Sequence, residues 1–442
     1  MLDSVSIENS RWDNLIYKIS LGLFFFGFST IGFGVFLFGI EFPTSIFTVA
    51  VYLIFLLQLV SNSFRFSKLL FFIWGFIFVQ TFVFNWSYIN FQSSFKHFIG
   101  LVIFSLVCFS FFSKNTFKIY STVKVYYNFC FFIACLSIFQ FFLFAIFKLS
   151  FLPQNILSGS LVFQGNDSFK AEILDVFPRA VGLSTEPAHY VAILLPAVYI
   201  SIYTLLDANH LFNRNSKTSA RVILFGYIIS FSLVGYFGIG VCLFIIFRKK
   251  IKISFLKISS LLLVFVLLLY FILQSSIGDK VYSFISVTKD ITGSEYTSSD
   301  QSSFALLSNL LVADESLKRS NLMGTGLNSH MITYDTVISN IFSESQIVAE
   351  LNREDAGSMF IRIISEFGLP GLILFIWFLY LYNVKGKSYI SSNSAANNMC
   401  LVFLIMYCTR NGTYLNILFF FFLAMFYYTY KTSLKDNQPN RI

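Results

Sequence analysis

Apolar runs of about the length of a membrane-spanning helix alternate along this chain with short polar breaks. A helix needs about 20 apolar residues to cross some 30 Å of hydrocarbon. Runs that qualify lie near residues 19–40, 43–60, 69–85, 97–112, 125–147, 189–206, 258–274, 367–384, 399–409 and 414–430. The run 399–409 is short, and the break at Asn411-Gly412 before the next run predicts a tight hairpin.

The stretch 222–247 carries a basic cluster at each end: Arg214, Lys217 and Arg221 before it, Arg248, Lys249, Lys250 and Lys252 after it. Lysine and arginine collect on the cytoplasmic side of short loops. One crossing would put one cluster on the wrong side, whereas two short helices turning near Ser230-Phe231-Ser232 satisfy both. The prediction is an all-α polytopic integral membrane protein of about 12 transmembrane helices, both termini cytoplasmic. Its parts are a bundle of nine spans over residues 1–274, an external loop over 275–366 between the ninth and tenth spans, and three spans with a tail over 367–442. The first apolar run is too long for a cleavable signal peptide.

Composition agrees with the pattern: 56% of the 442 residues are hydrophobic and 12% charged, and the mean hydropathy is +0.72. A soluble domain carries about 25% charged residues, so a soluble enzyme and a disordered chain are both excluded. The six cysteines all lie in apolar stretches, with no CxxC pair, so neither a disulfide framework nor a zinc site is expected. The net charge of +9 is uneven: residues 150–188 hold four acids and two bases, and residues 275–366 hold twelve acids and six bases. The surplus positive charge is therefore a topology signal and not a nucleic-acid footprint. The second external segment is longer than a connector needs, and such loops are usually functional. Helices are expected in it near 301–319 and 335–351, separated by a Gly-containing break at 324–326.

Three constellations stand at the external side. Arg179-Ala-Val-Gly182-Leu-Ser-Thr-Glu186-Pro187-Ala-His189-Tyr190 sits where the first external segment returns to the membrane. Pro187 suits a first helical turn, and Glu186 lies at the positive end of that helix dipole. The plain alternative is a helix cap with an interfacial arginine. Lys318-Arg319-Ser-Asn-Leu-Met-Gly324-Thr-Gly326, with His330 four residues on, could form a backbone nest for phosphate oxygens, or simply a turn beside a structural histidine. In Arg353-Glu354-Asp355-Ala-Gly357-Ser358-Met-Phe-Ile-Arg362-Ile-Ile-Ser-Glu366-Phe-Gly368, a helix over 358–367 puts Ser358, Arg362 and Glu366 on one face. That is either a charge ladder or an arginine held by Glu366 and aimed at an anion. Arg410 ends the eleventh predicted span. Guanidinium groups bordering one membrane face suit a pyrophosphate. No P-loop and no paired-carboxylate nucleotide-sugar motif is present.

The pattern Arg179-x-x-Gly182-x-x-x-Glu186-Pro187-x-His189-Tyr190 resembles the RxxGxxxEPSHYA-like stretch of O-antigen polymerases of the Wzy type. The Gly324-Thr-Gly326 turn, Glu366-Phe-Gly368-x-x-Gly371 and the late Arg410 look like later landmarks of that family. O-antigen ligases commonly carry a His-Asn pair about ten residues before the Gly368 position, where this chain has Ser358 and Met359. The resemblance implies a metal-independent glycosyltransferase of a bacterial inner membrane, with no cofactor and its active face periplasmic. It would move a growing glycan from undecaprenyl pyrophosphate to the terminal hydroxyl of a new lipid-linked repeat unit. Arg179, Arg319, Arg353, Arg362 and Arg410 are then candidates for the pyrophosphate, and Glu186, His189, His330 and Asp355 for the base. Membrane lipids and a polysaccharide chain-length regulator are the other expected partners. Two competing readings are a ligase acting on lipid A core and a lipid-linked glycan flippase. A flippase should carry central intramembrane charges and duplicated halves, and neither is visible.

Overall fold

A computed structural model describes residues 15, 17–27, 34–37, 40–43, 67–114, 118–147, 179–184, 187–206, 216–248, 301–341, 352–384 and 392–436. The predicted spans 43–60 and 258–274 fall largely or wholly outside these residues. The described helices are α1 (Tyr17–Gly27), α2 (Lys68–Phe78), α3 (Phe91–Lys114), α4 (Ile119–Phe147), α5 (Pro187–Leu206) and α6 (Ser216–Ile228). They continue with α7 (Leu233–Arg248), α8 (Gln301–Arg319), α9 (His330–Ile341), α10 (Met359–Leu381), α11 (Ser392–Arg410) and α12 (Ile417–Asp436). Among the described residues, five helices are long and apolar enough to cross a membrane: α3, α4, α5, α10 and α12. α1, α2 with its continuation to Phe84, and α7 are apolar but shorter.

The first predicted span is not one continuous helix. After α1 the chain forms an antiparallel ribbon, Gly34–Leu37 (β1) against Ile40–Pro43 (β2), with Val35 opposite Phe42. Gly32, Gly34 and Gly39 weaken a helix there, and Val35, Phe36 and, beyond Gly39, Ile40 suit strands.

The predicted hairpin inside 222–247 is present, with α6 and α7 meeting at Ser230-Phe231-Ser232 and Phe231 in the left-handed region. Ser230 Oγ donates to the Tyr227 carbonyl, and the Tyr227 hydroxyl to the Gly235 carbonyl. The break at Asn411-Gly412 likewise joins α11 to α12, where Asn416 Oδ1 accepts the Leu418 N–H (2.9 Å). α5 is buried on nearly every side, whereas α4 buries one face, from Ile119 to Gln140. The core is a continuous aromatic and aliphatic cluster that includes Phe24, Phe112, Tyr126, Phe421 and Phe422.

α10 is two helices in series. Gly368 has φ +62° and ψ −160°, and Pro370 has no N–H to give. The break frees the carbonyls of Ser365 and Glu366, which a loop between α8 and α9 then claims. The Thr325 N–H donates to the Ser365 carbonyl (3.0 Å), the Gly326 N–H to the Glu366 carbonyl (2.7 Å), and the Leu369 N–H to the Leu322 carbonyl (3.0 Å). α2 adds to this joint. Its last turn widens to a π-helix over Val79–Phe84, and Gln80 Nε2 donates to the carbonyls of Met323 and Glu366.

Candidate functional site

The joint in α10 builds the most polar buried cluster among the described residues. Arg362 and Glu366, one helical turn apart, are 4% and 0% exposed, and Arg362 Nε donates to Glu366 Oε1 (2.9 Å). Arg362 Nη1 donates to the Gly412 carbonyl (3.2 Å) and Nη2 to Asn328 Oδ1 (3.1 Å). The guanidinium carbon lies 4.2 Å from the ring centroid of Tyr414, a cation–π contact. The Tyr414 hydroxyl donates to Glu366 Oε2 and accepts the Asn328 N–H (3.2 Å). A buried charge is tolerable only when paired and hydrogen-bonded, and both members here meet that condition. Three of the five N–H groups of the guanidinium are held in these bonds.

His330, at the start of α9, joins the same cluster. Asn309 Nδ2 is committed to the Ala305 carbonyl (2.6 Å), so its Oδ1 accepts the His330 Nε2–H (2.8 Å). Nδ1 then accepts from the Ser365 hydroxyl (3.1 Å), which in turn is bonded to Ser316 (2.9 Å). Burial, reinforced by the charge of Arg362, pushes the His330 pKa down to about 3, so the ring is neutral at pH 7. Both its nitrogens are used in holding α8, α9 and α10 together.

Asp355 lies half-buried beside this cluster. Its Oδ1 caps the Gly357 N–H (3.0 Å), and its carbonyl is packed so closely on Gly412 that a Cβ there would overlap it. The residues 352–358 are thereby pinned to the α11–α12 hairpin, where Ser358 Oγ donates to the Cys408 carbonyl (3.0 Å). Arg410 ends α11 in the same hairpin, half-buried.

The other predicted arginines are placed differently. Arg319 pairs with Glu315 on its own helix (2.9 Å), and Arg353 grips Asp335 through both oxygens (2.5 and 2.7 Å). These are surface ion pairs. Arg179 belongs to a second assembly. The Ala180 N–H after it donates to the Ile229 carbonyl at the α6–α7 turn, and Arg179 lies within electrostatic reach of Tyr236. Gly182, with φ +58°, is clasped by Gln140 of α4: Nε2 donates to the Gly182 carbonyl (2.8 Å) and Oε1 accepts its N–H (3.0 Å). Tyr190 packs under Gly182 and donates to the Gly226 carbonyl (3.0 Å). Pro187 opens α5, as the sequence predicts, and His189 is half-buried in its first turn. Glu186 falls outside the described residues.

Sequence reasoning missed Gln80, Asn309, Asn328, Ser365 and Tyr414. Gln80 and Thr81 could have been found, because polar side chains inside an apolar run must be paired. Thr81 Oγ1 accepts the Leu327 N–H (3.1 Å). The predicted helix over 335–351 begins five residues earlier, at His330, and the described part of it ends at Ile341. There the Ser329 carbonyl and the docked glycine loop set the helix start.

Next to the polar cluster lies an apolar groove of about 360 Å³ between α2, α10 and α12. Phe72, Phe76, Phe367, Phe375 and Phe420 line it, and Tyr414 closes one part of its wall. Tyr414 therefore faces apolar space while holding Arg362 and Glu366. No group of three or more metal-ligating side chains occurs among the described residues.

Comparison of the chain with protein-family models, with curated proteins and with solved structures finds no match in any of the three. Fold and composition define a helical membrane protein.

Proposed function

We propose that this chain is an O-antigen polymerase, a glycosyltransferase that extends a lipid-linked glycan at the outer face of a bacterial inner membrane. The observation that carries the reading is the position of Tyr414, shared by the apolar groove and the buried Arg362–Glu366 pair. A polyprenyl-pyrophosphate donor needs an apolar channel for its chain and fixed positive charge for its headgroup, and Tyr414 stands between the groove and Arg362. The groove volume falls in the ~300–1,000 Å³ range of small-molecule pockets, enough for part of a polyprenyl chain.

In the reaction, the acceptor hydroxyl attacks the anomeric carbon of the donor glycan. The bond from that carbon to the pyrophosphate oxygen breaks, and the electron pair leaves with undecaprenyl pyrophosphate. The two guanidinium N–H groups of Arg362 that its protein partners leave over are the donors for that developing charge. The hydroxyl proton goes to a carboxylate. Glu366 is engaged by Arg362 and Tyr414, so Asp355, half-buried beside the cluster, is the described candidate, and Glu186 is the candidate in the Arg179 segment.

Deleting the gene and following the lipopolysaccharide ladder tests the reading, with complementation by wild type, Tyr414→Phe and Asp355→Asn. Collapse to core plus one repeat unit, restored by wild type, is the expected result. Loss of every O-unit while long lipid-linked polymer accumulates would mean ligation instead, and an unchanged ladder would remove the reading altogether.

A further inference from the structure

The loop that caps the broken helix also carries an apolar tip turned outward. Leu322 and Met323 are 51% and 41% exposed, although their backbones are fixed to the protein. The Leu322 carbonyl accepts the Leu369 N–H, and the Met323 carbonyl accepts from Gln80 Nε2. With the main chain bonded inward, the two side chains project away.

Their surroundings indicate what covers them. α3 is a candidate span whose exposed residues Phe91, Phe95, Ile99 and Ile103 recur every four positions, an apolar stripe that suits lipid. At the head of that stripe the Trp86 ring packs on Phe91 (centroids 5.5 Å apart) and is itself exposed. Two residues on, the Tyr88 hydroxyl donates to the Arg319 carbonyl (3.0 Å) at the end of α8. The apolar stripe thus runs from α3 through Trp86 to the segment that precedes Leu322 and Met323. Trp and Tyr favour the water–lipid boundary. One turn back on α8, Lys318 pairs with Asp314 (2.6 Å) and Arg319 with Glu315 (2.9 Å), which marks the side facing water and leaves no net charge there.

We propose that Leu322 and Met323, with Trp86, are seated in the headgroup–acyl boundary of the leaflet in which α3 begins, so that the α8–α9 hairpin rests on the bilayer. The occupant of this patch is lipid. Apolar area taken out of water at Leu322, Met323 and Trp86 is the driving force for the seating. The same loop continues into Gly324 and Gly326, so contact with the membrane bears directly on the joint in α10. This inference needs only a membrane, and it stands or falls apart from the glycosyltransferase reading.

The test places a nitroxide at Leu322→Cys, Met323→Cys and Asp314→Cys in the full chain, reconstituted in phosphatidylcholine nanodiscs. Labelled wild type is subtracted for the native cysteines. Collision with oxygen is compared with collision with a water-soluble nickel chelate. Positions 322 and 323 should favour oxygen and position 314 nickel. Nickel preference at 322 and 323 would put the tip in water, and loss of both collisions would mean that protein covers it. Either overturns the proposal. A second measurement needs no added cysteine: lipids brominated near the top of the acyl chain should quench the Trp86 emission, defined as the difference from Trp86→Phe. Absence of quenching overturns it equally.

Discussion

Gly324 and Gly368 meet back to back: a Cβ on Gly324 would lie 2.3 Å from the Gly368 nitrogen, and one on Gly368 would lie 2.6 Å from the Gly324 nitrogen. Both residues also have positive φ, +79° and +62°. The two facts have separate causes, since the first is crowding between backbones and the second is the left-handed turn each chain must make there. No side chain rearrangement can relieve either.

Replacing either glycine by alanine should therefore unfold the joint. The expected loss exceeds about 4 kcal/mol, the range reserved for backbone strain and core overlap. Gly75→Ala is the control: it lies in α2, and nothing lies within 4 Å of its added Cβ. Helix propensity predicts no loss there and a gain of up to about 1 kcal/mol. Thermal unfolding of the purified chains in detergent distinguishes the two, and a Gly368→Ala protein as stable as wild type would refute the account of the joint.

Removing one partner of the Arg362–Glu366 pair should be worse than removing both. Glu366→Ala leaves a buried guanidinium without its counter-charge, a loss of about 3–5 kcal/mol. Arg362→Met with Glu366→Leu should lose less than the sum of the two single changes, because no charge remains to desolvate. Tyr414→Phe keeps the ring under Arg362 and removes only the hydroxyl, so about 1–2 kcal/mol is expected. Equal losses in Tyr414→Phe and Glu366→Ala would mean that the pair is not the centre of the cluster.

His330 supplies a pH dependence. Its pKa of about 3 in the fold lies below the ordinary 6.5. Between those values the unfolded chain holds the proton and the folded chain does not. Stability is therefore lost as pH falls through this window, by up to about 1.4 kcal/mol per pH unit, and is unaffected by His330 above it. His330→Gln should be less stable than wild type at pH 7, and the gap should narrow by about 2 kcal/mol at pH 5. The groups facing the ring (Asn309, Ser316 through Ser365, and Arg362) carry no proton change in that range that the variant would alter. A gap that stays constant with pH would sink the argument.

Two glutamines inside apolar helices should behave as structural donors. Gln80→Leu strips a donor from the Met323 and Glu366 carbonyls, and Gln140→Leu strips both a donor and an acceptor from Gly182. Each should lower stability by about 1–3 kcal/mol through the buried backbone group left unmade. Hydrogen exchange should rise locally, at Gly326 in the first case and at Gly182 in the second. Exchange unchanged at both glycines would leave the glutamines without this role.

Much of this was legible from local signals. The basic residues on both sides of 222–247 predicted a turn inside that stretch, and α6 and α7 meet at such a turn. Asn411-Gly412 broke the last apolar stretch where α11 turns into α12, and the four-residue spacing of Arg362 and Glu366 placed them on one helical face. What was not legible depends on partners distant in sequence. Nothing around Val79 announces a π-helical turn, because the wider turn exists to bring Gln80 to a loop more than 240 residues away. Tyr414 reads as one aromatic among many in a chain with 60 phenylalanines. His330 looks like a loop residue until α8 and α10 close around it.

The α6–α7 hairpin has one more consequence. Its helices have 13 and 16 residues, about 20 and 24 Å at 1.5 Å per residue, against the ~30 Å of an ordinary hydrocarbon layer. Phe225, Phe237 and Phe244 nevertheless stand exposed on its outer side. If the hairpin crosses as the flanking basic clusters predict, thinning of the lipid around those rings is one way to match it. A crossing hairpin this short would, on the flank beside the segment that carries Arg179 and Gly182, draw the two aqueous phases closer together at that one place.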